Sequence, residues 1–396
     1  MHRPTNSLAS LAATAALAAQ APQAAPTPWF AELTAVPATL HETHGIAAGD
    51  LDGDGDLDLV LAAVGDSVLW RNDGNGTFVE VTGKDEFAIF GEANAVAVHD
   101  LDGDRRPDVF LACGGWRSAI NELLHNDGGG RFRRATYGSM PQDYFWTNGV
   151  RVGDIDGDGD PDLFLARYNF SGWFENDGKG RFKNRPDAVP ALHRTTMAAL
   201  LFDVDDDGDL DAVLGNAGYE CNQVWINDGK GHFTDESATR LPADQDDTMA
   251  MAAGDVDGDG VPDFVTGNGR LGGEQPRLYH NDGKGRFVDA TDHLPQVRCQ
   301  TMAVLLFDAD GDGDLDLVLG NADAGGGASN LLWLNDGKGR FTPAPADAFP
   351  DVAERTTCLL AVDLDGDGRQ ELVVGNGALA GSRTRIYRPL HAMTAR

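Results

Sequence analysis

The stretch Asp308–Asp316, DADGDGDLD, decides the reading. It sets carboxylates at loop positions 1, 3, 5 and 9, with a glycine, Gly313, at position 6. A hard cation such as calcium takes about six to eight oxygens, and alternating acids folded over a glycine turn aim several carboxylates at one centre. The EF-hand loop opens the same way but closes later, with a Glu, and runs into a helix. Here the run LVLGN follows the closing acid, which is the pattern of a short buried strand.

The loop recurs seven times. Position 1 is Asp50, Asp100, Asp154, Asp203, Asp255, Asp308 and Asp363. Position 3 is Asp52, Asp102, Asp156, Asp205, Asp257, Asp310 and Asp365, and position 5 is Asp54, Asp104, Asp158, Asp207, Asp259, Asp312 and Asp367. Position 9 is Asp58, Asp108, Asp162, Asp211, Asp263, Asp316 and Glu371. A single acidic run is usually a solvated turn, but seven in register, 49 to 55 residues apart, point to up to seven bound calcium ions. The second loop departs from the pattern. It carries Arg105 in the glycine position and Arg106 beside it, so its site is expected to be weak or empty.

The net charge of −32 follows from these loops. Four acids in each of seven loops make 28 of the 63, and the other 35 nearly balance the 31 Lys and Arg. The acidity is local, and nothing supplies the basic footprint of nucleic-acid binding. The N-terminus has a basic start at Arg3 and an apolar run from Leu8 to Ala19, followed by small residues, so residues 1–24 read as a secretory signal peptide. The chain is therefore expected to be secreted, periplasmic or at the cell surface, with no membrane span, and monomeric. Cys113, Cys221, Cys299 and Cys358 have no CxxC spacing. Cys299 and Cys358 are the more plausible disulfide partners, and buried free thiols are the alternative.

Each repeat holds four strand-like segments, the last two joined by an NDG-x-G turn beginning at Asn72, Asn126, Asn176, Asn227, Asn281 and Asn335. Asn, Asp and Gly there are expected to supply the positive φ of a tight hairpin. Four strands in about 50 residues is the signature of a propeller blade. The seventh repeat lacks its outer strand, and WFAELTA (Trp29–Ala35) resembles the missing one. The expectation is an all-β, seven-bladed propeller over residues 28–388, closed by its N-terminal strand and followed by a tail at 389–396.

Length variation falls between the second and third strands, on the face opposite the acidic loops, where per-repeat insertions often mark a binding face. At that end Asn216, Asn268, Asn321 and Asn376 close second strands, and Thr43, Thr147, Thr196, Thr248, Thr301 and Thr356 open first strands. Their ordinary role would be to cap strands and satisfy turn backbone. Residues that break the repeat are the candidate ligand contacts: Trp116, Trp146, Arg167, Tyr168, Tyr219 and Arg270. They suit an extracellular protein or carbohydrate partner.

The loop-strand DxDGDGxxDLVL, the NDGxGxF hairpin and the period together resemble the FG-GAP/VCBS repeat family. The resemblance implies an integrin-α-like propeller with Ca2+ held by the acids at positions 1, 3, 5 and 9 and the position-7 carbonyl, and a role in adhesion or in protein or carbohydrate binding. Some relatives scaffold an enzyme, so an extracellular polysaccharide lyase or hydrolase is the alternative. No Ser-His-Asp or HExxH constellation is present.

Overall fold

The computed structural model describes residues 28–81, 92–114, 120–136, 138–141, 144–269, 272–323, 326–377 and 383–390. The proposed leader, most of the tail, Trp116 and Arg270 lie outside them.

Every repeat forms a four-stranded antiparallel blade. In blade 1, Thr43–Gly49, Asp58–Ala63, Val68–Asn72 and Phe78–Val81 lie side by side in that order. The second strand is buried along its whole length because strands flank it and sheets cover both its faces. Alternate residues face opposite neighbours, as the two-residue period of a strand requires. Val60 packs with Val109 and Leu111 of blade 2. Leu59 and Leu61 pack with Val373 and Ile386 of blade 7. The same interdigitation fills each interface between successive blades.

Blade 7 takes its outer strand from the start of the chain. Phe30–Glu32 pairs antiparallel with Arg385–Pro389, with Phe30 opposite Pro389 and Glu32 opposite Tyr387. Phe30 is buried against Phe307 and Phe349, the role the outer-strand phenylalanines play elsewhere. Arg383 and Arg385 both donate to Glu32, at 2.8 and 2.7 Å. The ring is closed as the sequence suggests, which removes exposed sheet edges.

Two expectations need correction. No described cysteine is in a disulfide. The Cys358 thiol faces blade 1, 3.9 Å from the Thr43 carbonyl, whereas Cys299 sits beside Thr301 at 3.2 Å. The NDG turns also work differently. Only their glycines take positive φ, such as Gly74 at 78° and Gly76 at 74°. The aspartate closes the turn through its side chain, Asp73 Oδ1 accepting from the Asn75 and Thr77 amides at 3.0 and 3.2 Å. The asparagine is released for another task.

Candidate metal loops and the opposite aromatic face

Each acidic loop folds around two carboxylates. In blade 6, Asp308 accepts the amides of Gly311 at 2.6 Å and Gly313 at 3.0 Å, wrapping the chain around position 1. Asp316, at position 9, accepts the amides of Ala309 at 3.0 Å and Asn335 at 2.8 Å, tying the loop to the hairpin. Burial pushes five of the position-9 acids upward, Asp58 to about 6 and Asp162, Asp211, Asp316 and Glu371 to about 7. Burial and the adjacent Asp312 push Asp310 up to about 6.

The acids converge. Ligand atoms of Asp50, Asp52 and Asp58 lie within 4.8 Å of one another, as do those of Asp100, Asp102 and Asp104, and of Asp154, Asp156 and Asp162. Asp102 and Asp205 each bury a carboxylate oxygen, Oδ1, that makes no hydrogen bond. Where the donor set is all oxygen, as at Asp50, Asp52 and Asp58 or Asp154, Asp156 and Asp162, it suits a hard divalent cation.

The loops differ in the charge set against them. Arg71 pairs with Asp52 at 2.9 Å, Arg240 with Asp205 at 2.8 Å and Arg388 with Asp365 at 2.6 Å. Arg106 and Arg369 hold the position-5 acids Asp104 and Asp367. Among the described residues, the loop acids of blades 3 and 6 have no cationic partner. In the second loop Arg105 occupies the glycine position at φ 70°, a left-handed conformation that strains a side-chain-bearing residue. The fourth loop likewise places Asp206 at φ 64° where the others have glycine.

The NDG asparagines join the loops of adjacent blades. Asn126 Nδ2 donates to Pro107 O of its own loop at 3.1 Å and to Leu51 O of blade 1 at 3.0 Å. Asn176, Asn227, Asn281 and Asn335 reach back to Leu101, Ile155, Val204 and Val256 in the same way. The last glycine of each turn permits the approach. A Cβ on Gly130 would strike Arg71, and one on Gly231 would strike Trp173.

The other ends of the strands, about 20 Å away for strands of this length, carry the irregular face. Thr196, Thr248, Thr301 and Thr356 donate to Asn216, Asn268, Asn321 and Asn376 at 2.9 to 3.1 Å. These asparagines in turn donate to loop carbonyls such as Cys221 O and Gln275 O. The pairs are structural, at the register shift of each inner strand.

Blades 3 and 4 break the pattern. Asp162–Asn169 outruns its own blade and pairs with Arg194–Phe202 of the next, Tyr168 opposite Thr195. Trp146 and Tyr168 are 37 % and 49 % exposed, with ring centroids 6.4 Å apart. Phe145 meets Phe170 edge-on at 5.7 Å, and Phe170 contacts the His193 ring at 4.1 Å. Tyr144 is 72 % exposed beside them. Tyr219, at φ 63°, is also exposed on blade 4. Arg167 departs from the expectation. It is 3 % exposed, its guanidinium 4.8 Å from the Phe174 ring centroid, so it does not present itself on this face. The sequence reading missed Tyr144, Phe145 and Phe170, though the run YFW directly before an inner strand carried the signal.

The family described as FG-GAP-like repeat matches residues 50–111, 100–165, 154–214, 203–266, 267–319 and 308–374. No curated protein sequence matches the chain. Among solved structures, an Agrocybe aegerita lectin that recognises non-reducing terminal N-acetylglucosamine is 20 % identical, covering 78 % of this chain and 82 % of its own, with a TM-score of 0.53. BBS1N, solved in complex with ARL6DN, is 12 % identical over 92 % of this chain and 98 % of its own, with a TM-score of 0.60. The extracellular domain of a putative hybrid two component system, BT4673, from B. thetaiotaomicron is 12 % identical over 92 % of this chain and 40 % of its own, with a TM-score of 0.53. At these identities the likeness is one of fold.

Proposed function

The chain belongs to the FG-GAP-like repeat family, and on that premise we propose that it is a secreted, calcium-clamped propeller that binds carbohydrate on the face opposite its acidic loops. The observation that carries this reading is the aromatic cluster of blades 3 and 4. Solvent-facing rings at Tyr144, Trp146 and Tyr168 share this end of blades 3 and 4 with the polar side chains of His193, Arg194 and Glu220, Tyr168 pairing with Thr195 and Asn169 with Arg194. Aromatic rings that stay exposed next to polar groups give a sugar both an apolar stacking surface and orienting hydrogen bonds. The lectin among the structural neighbours is consistent with this choice of ligand class.

Calcium enters as the element that fixes the scaffold. The position-1, -3, -5 and -9 acids would hold it, and the charge set against each loop would rank the sites, with blades 3 and 6 depending most on the ion. No long, apolar, membrane-crossing helix occurs among the described residues.

A glycan array probed with the purified protein, with and without calcium, tests the reading. The expected result is retention of a defined set of oligosaccharides, lost in the Trp146→Ala, Tyr168→Ala double variant that still melts like the parent. Retention unchanged in that variant would remove this face as the binding site. A protein ligand with no glycan bound would replace carbohydrate by a protein partner, and cleavage of a bound oligosaccharide would replace binding by catalysis.

A further inference from the structure

In four blades the residue at one fixed place in the third strand points into the acidic loop of its own blade. The residue before the hairpin asparagine is Arg71, His125, Glu175, Ile226, His280 and Leu334 in blades 1 to 6, and Arg388, before Pro389, holds the same place in blade 7. The two histidines stand apart from the arginines because an imidazole nitrogen can ligate a metal, whereas a guanidinium cannot deprotonate to do so.

His125 is 4 % exposed, and its Nδ1 is buried without a hydrogen bond. That nitrogen points between two loop carboxylates, 3.2 Å from Asp102 Oδ2 and 3.4 Å from Asp108 Oδ2. Asp102 Oδ1 is orphaned beside it. Blade 5 repeats the arrangement. His280, half-buried, places Nδ1 3.2 Å from Asp263 Oδ2 and 3.6 Å from Asp257 Oδ2. In both blades one ligand atom from each of the three residues falls within a 4.8 Å cluster. The next blade presses on the Cε1–Nε2 edge of the ring, since a Cβ on Gly180 would lie 2.3 Å from His125 Cε1 and one on Gly339 would lie 2.6 Å from His280 Cε1. Both rings are thereby held with Nδ1 inward.

We infer that blades 2 and 5 carry His-Asp-Asp sites for a borderline divalent transition ion, Zn2+ being the probe of choice, in place of or in preference to calcium. Bonds of about 2.0 Å to a tetrahedral centre set its ligand atoms about 3.3 Å apart, which is the spacing found at His125. Imidazole nitrogen suits zinc and its neighbours, whereas calcium takes oxygen. The second loop is also ill-suited to calcium. Arg106 sets a positive charge against Asp104 and donates to Asn126 O at 2.7 Å, and Arg105 fills the glycine position. Asp102, Asp108 and His125 remain together.

The inference deepens the metal reading of the loops and rests on it only in treating the loop as an ion cradle. Metal-stripped full-length protein is dialysed against limiting Zn2+ in the presence of excess Ca2+, and both metals are counted. The expected result is two tightly held Zn2+ that calcium does not displace. His125→Ala and His280→Ala should each remove one, the double variant should remove both, and bound calcium elsewhere should be unchanged. Co2+ loaded in place of Zn2+ should give d–d absorption that halves in each single variant. Where an alanine variant melts abnormally, Asp102→Asn gives the same readout. Zinc binding that survives in the double variant, or that excess calcium abolishes, overturns the inference. Calcium bound with no histidine-dependent zinc overturns it too and leaves the calcium reading standing, while two histidine-dependent zinc ions without calcium do the reverse.

Discussion

Asn72 Nδ2 donates to the Leu364 carbonyl at 2.7 Å, joining the hairpin of blade 1 to the acidic loop of blade 7 across 292 positions of chain. The same side chain holds Leu57 O of its own loop at 3.1 Å. Ring closure thus rests on a polar link at the loop face as well as on the N-terminal strand. Asn72→Ala would orphan two carbonyls, one of them buried, at a cost of about 2–4 kcal/mol. Urea denaturation with calcium present measures it. A loss below about 0.5 kcal/mol would mean that water satisfies those carbonyls and that the link is dispensable.

The N-terminal strand can be weighed separately. Phe30 is 3 % exposed between Phe307 and Phe349. Phe30→Ala should cost about 3 kcal/mol or more through the cavity it leaves. A variant as stable as the parent would show that blade 7 does not need this strand.

Arg105 offers a change in the opposite direction. Its φ of 70° is one glycine adopts freely. Arg105→Gly should stabilise the protein by about 1 kcal/mol, seen as a higher urea midpoint in the metal-free state. An unchanged or lower midpoint would mean that the arginine side chain makes contacts worth more than the strain.

Five of the position-9 acids give the metal-free protein a distinctive pH response. Their folded values are pushed to about 6 for Asp58 and about 7 for Asp162, Asp211, Asp316 and Glu371, above the usual carboxylate range. The folded state therefore keeps protons that the unfolded chain has shed. That contribution is fully present below about pH 4 and is lost as pH rises through 6 to 7. Stripped protein should show a falling urea midpoint from pH 5 to pH 8, and saturating calcium should flatten the fall because the ion takes the place of the proton. A stripped protein whose midpoint rises over that interval would contradict the burial argument.

The seven loops, the blade period and the closing strand were legible because ligation and strand pairing demand fixed residue types at fixed spacing. WFAELTA could be matched to the other outer strands by pattern alone. The asparagine links were not legible. NDG is a sufficient hairpin signal by itself, and the second partner of Asn126, Leu51, lies 75 residues away in another blade. Arg167 breaks the repeat and so resembled a surface contact, but the alternation of its strand turns the side chain inward over Phe174. In sequence, His125 and His280 show only that each stands directly before an NDG turn. Only the fold shows that each is aimed into the loop two strands earlier.

On the proposed reading, divalent ions hold the loop face of this ring. Its most direct test is to count calcium on purified protein after dialysis and to record the melting temperature before and after chelation. The expected result is several equivalents of calcium per chain, a fall of many degrees on chelation and recovery when calcium is returned. Less than one equivalent, together with a melt indifferent to chelator, would contradict it.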